Sequence, residues 1–307
     1  MTAPGARVIF LFVDGVGIGS ADPARNPFFA QDLPALRGLA GGALPRLRDA
    51  RRSGPTASWV PLNATLGVAG LPQSGTGQTA LLTGINAPKL IGKHFGPYPY
   101  STLRPVLNQQ NIFVRLQQNG ARVGYANAFP ERYFEYMQAR PAMRAALSSA
   151  WLATGRPLRT SEALGAGEAL SADVTSEKWN RQGFPAAPVV TPAEAGARLV
   201  RMSAEHDLLL FEYYETDHAG HSGSMEEASA VLVKLDAFIG GIVEAMDHSS
   251  TLLVVTSDHG NLEDLSVRTH TRNPVPLVAA GRGHASFVRT LRSLTDVAPA
   301  LLGTLRP

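Results

Sequence analysis

The stretch Val254-Val255-Thr256-Ser257-Asp258-His259-Gly260-Asn261 limits the choice of fold more than any other part of the chain. An apolar, β-branched run reads as a buried strand, and it stops in an adjacent carboxylate and imidazole followed by glycine. Ligands of open α/β sheets bind outside the carboxyl ends of strands, so these two side chains are offered to a crevice. Both suit a divalent metal such as zinc or manganese. One such strand end is unremarkable, because solvated polar residues end many strands. Here the pattern recurs. Arg7 to Val13 ends in Asp14-Gly15, and Asp207 to Tyr213 leads into Asp217-His218-Ala219-Gly220-His221. His270 stands just before the apolar run Leu277 to Ala280.

Composition narrows the class. At 307 residues the chain is long enough for one large α/β domain. With 44% apolar and 17% charged residues it is an ordinary globular protein. The net charge of +3 comes from a small excess of Arg and Lys with no basic tract; Arg51-Arg52 reads as a solvated face, so no nucleic-acid partner is expected. The absence of cysteine excludes disulfides, thiolate metal sites and a cysteine nucleophile. No segment reaches the roughly 18 apolar residues of a membrane span, and the run Val8 to Val13 is too short for a secretory signal. No membrane partner is expected, and a cytoplasmic location is the default expectation.

Asp32 to Ala40 and Leu44 to Arg52 each read as short helices, the second ending in a turn at Ser53-Gly54-Pro55. The glycines at 15, 17 and 19 lack the G-x-G-x-x-G spacing of a dinucleotide site. The hydroxyl-rich stretch from Ser74 to Thr83 reads as a loop entering a helix, with Gly84 as its stop. A hydroxyl there meets free backbone N–H groups and favours a bound phosphate, or serves as a plain N-cap. Lys89, Lys93 and His94 follow in a Gly- and Pro-rich loop. With Arg104 they are candidate contacts for a substrate anion, a surface loop being the alternative.

Ile112 to Gln118 carries a helical period, Arg122 to Phe129 reads as a strand, and Glu131 to Ala153 is helical in pattern with a break at Pro141. Residues 154 to 190 show no firm periodicity. The segment from about 130 to 190 reads as an inserted cap or long excursion over the site, within a single domain spanning 1–307. Thr191-Pro192-Ala193-Glu194 starts a helix with a capping box. Met225 to Met246 reads as a long amphipathic helix, and Thr295-Asp296 opens a terminal one.

Asp14, Asp217, His221, Asp258, His259 and His270 therefore gather at one rim. Without metals such a gathering would repel or need pairing. Two metals about 4 Å apart would form a clamp for phosphoryl transfer.

The chain resembles the alkaline phosphatase superfamily of binuclear metalloenzymes, and most closely its branch of cofactor-independent phosphoglycerate mutase and phosphopentomutase. The resemblance is carried by Val13-Asp14-Gly15-Val16-Gly17, by Asp217-x-x-x-His221, by Ser257-Asp258-His259-Gly260-Asn261, by His270-Thr271-x-Asn273-x-Val275-Pro276, and by Thr295-Asp296-Val297-Ala298-Pro299. It implies a three-layer α/β/α sandwich with a mostly parallel central sheet. It also implies two divalent ions per chain, Mn2+ or Zn2+, and a small phosphorylated substrate.

Counting back from Thr83-Gly84, the family pattern puts the nucleophile at Ser74, with Thr79 and Thr76 as fallbacks. Asp14, Ser74, Asp258 and His259 would hold one ion, and Asp217, His221 and His270 the other. Glu212 resembles the position of a third-metal ligand in alkaline phosphatase. Two departures bear on activity. Gly77-Gln78 stands where the mutase branch has Gly-His, and the stretch from Ser74 to Asp217 lacks room for the mutases' large inserted domain. The expectation is hydrolysis of a phosphomonoester or phosphodiester through a phosphoserine. A phosphomutase is the alternative, and a catalytically silent binding protein a third reading. The sulfatase signature is absent, and oligomeric state is not legible.

Overall fold

The computed structural model describes residues 7–305. Seven strands make one sheet: β1 Arg7–Val13, β2 Arg52–Ser53, β3 Ala57–Leu62, β4 Val123–Tyr125, β5 Leu208–Tyr213, β6 Thr251–Thr256 and β7 Val275–Gly281, in the order β2-β3-β7-β6-β1-β5-β4.

The runs that read as continuous apolar strands occupy the middle because both sheet faces are covered. Alternate residues of β1 enter two separate cores. Val8, Phe10 and Phe12 pack on one face, Ile9, Leu11 and Val13 on the other. The first face carries the helices Ser74–Thr83, Leu103–Gln110, Ile112–Gln118, Ala146–Leu152 and Val297–Thr304. The second carries Pro34–Leu39, Pro192–Ser203 and the long helix Met225–Ala245. This is a three-layer α/β/α sandwich.

The sheet is parallel where it matters for the site: β6, β1, β5 and β4 all run one way. Beyond β6 the strands β7, β3 and β2 are antiparallel to their neighbours, so the whole sheet is mixed. This half is the one the sequence concealed. In β3 Pro61 sits opposite Pro276 of β7. A rung of an antiparallel ladder tolerates two prolines only where neither residue is asked for an N–H.

Leu44 to Arg52 is not a helix. Pro45 interrupts it, Arg48 adopts φ 79°, and Leu47 N–H donates to the Gly19 carbonyl, which draws the chain into an irregular path. The start at Thr191 follows its capping box in full, with Thr191 and Glu194 satisfying each other's backbone N–H groups.

Residues 130 to 190 divide in two. The helix Ala146–Leu152 packs into the main core through Leu147 and Trp151. Leu164, Ala169, Trp179 and Ala187 instead close a small apolar cluster with Ala128.

Candidate metal centre

Each candidate ligand reaches the same edge of the sheet for a topological reason. Asp14 follows the last residue of β1, and Asp258 and His259 follow β6 within three positions. Asp217 and His221 lie one turn apart on the helix Glu215–Ser222, directly after β5. His270 precedes β7, and because β7 is antiparallel to β6 its amino end lies at the parallel strands' carboxyl edge. β3 is antiparallel to β7 in turn, so its carboxyl end returns the chain to that edge and to Ser74.

Ser74 is the first residue of its helix, with Gln73 at the N-cap. Its hydroxyl is turned to His259, Oγ to Nε2 2.9 Å. Two glycines make this approach possible. A Cβ on Gly75 would sit 2.2 Å from the Tyr98 carbonyl oxygen, and one on Gly77 2.9 Å from that of Asp258. The hydroxyls of Thr76 and Thr79 are spent on the backbone carbonyls of Gln73 and Gly75.

Around His259 Nε2 stand Asp14 Oδ1 and Asp258 Oδ2, each at 3.5 Å. The second group abuts the first. His221 Nε2 is 3.4 Å from Asp217 Oδ2, and His270 Nε2 is 3.7 Å from Asp217 Oδ1. Asp14, Asp217 and His259 also bring ligand atoms within 4.8 Å of one another, so Asp217 sits between the two groups.

The electrostatics are those of a site built around cations. Burial, followed by the charges of Asp258 and Asp217, pushes the Asp14 carboxyl well above its ordinary range. Burial and Asp217 push Asp258 upward too. Burial and the neighbouring His270 lower His259 to about 3, which keeps its imidazole neutral as a ligand must be.

Asp14 Oδ1 and both carboxyl oxygens of Asp258 are buried without a hydrogen-bond partner. Buried polar atoms are rarely left so, and three orphaned carboxylate oxygens beside the His259 Nε2 fit a divalent ion. The outer contacts agree. His270 Nδ1 lies 2.8 Å from the Pro72 carbonyl and His221 Nδ1 3.1 Å from that of Arg268. With Nδ1–H donating there, both rings present a free Nε2 lone pair. Asn261 Nδ2 donates to Asp217 Oδ1 at 2.8 Å, and Gln78 Nε2 to Asp14 Oδ2 at 3.3 Å.

Residues 181–306 match the Metalloenzyme superfamily. That stretch, about two fifths of the chain, is similar to this superfamily. Divalent metal ions are thereby implied for it, and the two clusters are the groups able to hold them. Two curated relatives are 2,3-bisphosphoglycerate-independent phosphoglycerate mutases. That of Thiobacillus denitrificans is 37% identical over 107 residues, covering 33% of this chain and 21% of the relative. That of Thermomicrobium roseum is 35% identical over 127 residues, covering 38% and 24%. The match thus spans only about a fifth to a quarter of the relatives' length.

Among solved structures, alkaline phosphatase from the Antarctic bacterium TAB5 superposes with TM-score 0.56 at 12% identity, over 99% of both chains. Leishmania mexicana phosphoglycerate mutase superposes with TM-score 0.53 at 11% identity, over 99% of this chain and 96% of the other. These likenesses speak for the fold. No helix among the described residues is long and apolar enough to cross a membrane.

A cavity of about 660 Å³ opens beside the centre, and Asp14, Ser74 and Asp217 form part of its wall. The proposed substrate contacts at Lys89, Lys93, His94 and Arg104 do not line it. Lys89 is exposed on the short helix Ala87–Ile91. Lys93 lies over the Tyr100 and Phe95 rings, His94 Nε2 approaches the Val68 carbonyl, and Arg104 donates to the Ala142 carbonyl. The loop after the helix Ser74–Thr83 comes back to the cavity with Pro97 and Tyr98 instead. The lining basic side chains are Arg132 and Lys178, from the segment where the sequence offered no motif.

Glu212 lines the cavity but belongs to neither cluster; its Oε2 accepts from the Tyr125 hydroxyl at 2.6 Å. Glu263, unmarked by any strand-end position, takes bonds from the backbone N–H groups of Gly17 and Asn261 and from the side chains of Thr271 and Asn273. It ties the Asp14, Asp258 and His270 loops together.

Proposed function

We propose that the chain is a binuclear metal-dependent phosphoryl-transfer enzyme that forms a phosphoserine at Ser74. One observation carries this reading: the Ser74 hydroxyl, alone among the hydroxyls of its helix's first two turns in being turned to a ligand, stands 2.9 Å from His259 Nε2 at the wall of the cavity. Asp14, Ser74, Asp258 and His259 would hold one ion and Asp217, His221 and His270 the other, manganese and zinc both suiting such mixed sets. Bound there, the ions supply positive charge that offsets the phosphate and eases loss of the Ser74 proton.

The chain's own part is orientation. Gly75 and Gly77 let the helix start press against Tyr98 and Asp258, which holds Oγ in place for in-line attack on phosphorus. The bond from Oγ to phosphorus forms as the ester oxygen departs. The resulting phosphoserine sits at the N-terminus of a ten-residue helix, where the dipole favours an anion.

The phosphoryl group then returns to substrate or passes to water. The curated relatives favour return, as in a phosphomutase, and the stretch 181–306 that resembles the superfamily holds five of the six Asp and His ligands. Hydrolysis has its own support in the cavity beside Ser74, which is wide enough to admit water next to a bound alcohol.

The test is acid trapping of metal-loaded protein after brief exposure to phosphate esters, with peptide mass spectrometry and product analysis. Phosphate on Ser74 with an isomerised ester supports the mutase outcome, and phosphate on Ser74 with free inorganic phosphate the hydrolase. Phosphate on Thr76 or Thr79 would move the nucleophile. Neither phosphoprotein nor turnover would leave a silent binding protein.

A further inference from the structure

The geometry points to a substrate whose leaving group is a planar ring bearing no negative charge, held against the aromatic wall of the cavity beside Ser74. This specificity rests on the phosphoryl-transfer reading above and is independent of where the phosphoryl group goes next.

The cavity's 660 Å³ lies within the range of sites for whole small organic molecules and far exceeds a phosphate group. Tyr98, Phe129, Tyr133, Tyr136, Trp179 and Phe184 line it. These rings are already ordered against each other. Phe129 stacks on Tyr133 with centroids 4.5 Å apart, Trp179 meets Phe184 edge-on at 5.0 Å, and the Tyr98 and Tyr136 hydroxyls are 3.2 Å apart. A pre-ordered ring wall costs little entropy to bind against and rewards a flat apolar partner.

The charges weigh against the alternative of a small polyanion. The Lys and Arg side chains lining the cavity among the described residues are Lys178, which is paired with an acid, and Arg132, which is not. Lys178 Nζ is 2.8 Å from each carboxyl oxygen of Glu215. The Arg132 guanidinium lies 4.2 Å from the Phe184 ring centre and donates to Gln182 Oε1 at 3.2 Å. Beyond the metal ligands, Asp173, Glu212 and Glu215 also line the space. A carboxylate or second phosphate on the leaving group would therefore face three acids with Arg132 as the one lining Lys or Arg not paired to an acid. Hydroxyls or ring N–H groups on a neutral ring find acceptors in the same acids.

The test uses metal-loaded protein and two readouts. In equilibrium binding, phenylphosphonate, which cannot be turned over, should bind at least about tenfold tighter than methylphosphonate, the difference being one ring. In turnover, phenyl phosphate should exceed 3-phosphoglycerate in kcat/KM by about 100-fold or more. Tyr136→Ala should cut the preference for phenyl phosphate over glycerol 2-phosphate at least about fivefold, and Tyr136→Phe should retain most of it. Equal binding of the two phosphonates, or 3-phosphoglycerate turned over as well as phenyl phosphate, would overturn the proposal while leaving Ser74 chemistry intact. Ring-selective binding with no phosphoserine would instead overturn the phosphoryl-transfer reading and leave the recognition standing.

Discussion

The rings of His259 and His270 stack 3.7 Å apart at an interplanar angle of 17°. Each belongs to a different ligand set, so the two sets share a wall and cannot move independently. His259 is fully buried, whereas His221, on the far side of His270, is exposed. The inner set is therefore rigid and the outer one open at its rim.

This asymmetry predicts how metal loads. Dialysis against manganese or zinc followed by elemental analysis should give two ions per chain. His221→Ala should give about one, because Asp14, Asp258 and His259 are untouched. Saturating metal at about 100 times its dissociation constant should stabilise the fold by roughly 2.7 kcal/mol per ion, read as a rise in melting temperature. A melting curve indifferent to metal and chelator would contradict the assignment of the clusters.

Ser74→Ala tests the nucleophile without disturbing the frame. The variant loses one hydroxyl, and the six Asp and His side chains remain. Turnover of a generic aryl phosphate should fall at least ~100-fold, as expected for loss of a covalent route. Metal content should stay near that of the parent. Retention of more than a tenth of the activity would point to direct transfer to water.

How much of this was legible follows from which interactions are local. Strand ends in the parallel half could be read because burial on both faces writes an unbroken apolar run, as in Leu208 to Phe211, and a Gly after a carboxylate marks the end. The capping box at Thr191 and the stop at Gly84 were readable for the same reason. β3 was not, since Pro61 and Ser58 break its pattern and its order comes from pairing with β7, more than 200 residues away. The cavity cations Arg132 and Lys178 were invisible because their place depends on how residues 130 to 190 fold back, which no periodicity records. Glu263 looked like any loop acid; four donors from three separate segments define it.

Gly77 offers a test of the packing that sets Ser74. The Cβ of Gly77→Ala would stand 2.9 Å from the Asp258 carbonyl oxygen and 3.2 Å from its Cβ. Either the helix start or the Asp258 turn must yield. Overpacking of this kind costs about 1–3 kcal/mol, and here it also separates Ser74 from its ligand set. Denaturant unfolding should register the stability loss, and kcat should drop more than tenfold with little change in KM. Normal kcat in a destabilised variant would mean that the approach of the helix start to Asp258 is structural only.

The last prediction concerns Glu212 in metal-free protein. Burial pushes its carboxyl from the ordinary 4.5 up to about 7, with the Tyr125 hydroxyl pulling the other way. Between those values the folded chain keeps the proton that the unfolded chain has released. Folding stability from this group is therefore full below pH 4.5 and is lost as pH rises toward 7. The shift corresponds to roughly 2–4 kcal/mol. Glu212→Gln keeps an oxygen for Tyr125 and removes the ionisation. Urea unfolding of chelated protein at pH 5 and pH 8.5 should show the parent losing more stability than the variant across that interval, by about that amount. Asp258 titrates in both proteins, and the difference reads Glu212 together with the push its charge gives Asp14. Parallel losses in parent and variant would mean that Glu212 is ionised in the folded chain throughout, with a partner other than Tyr125 holding its charge.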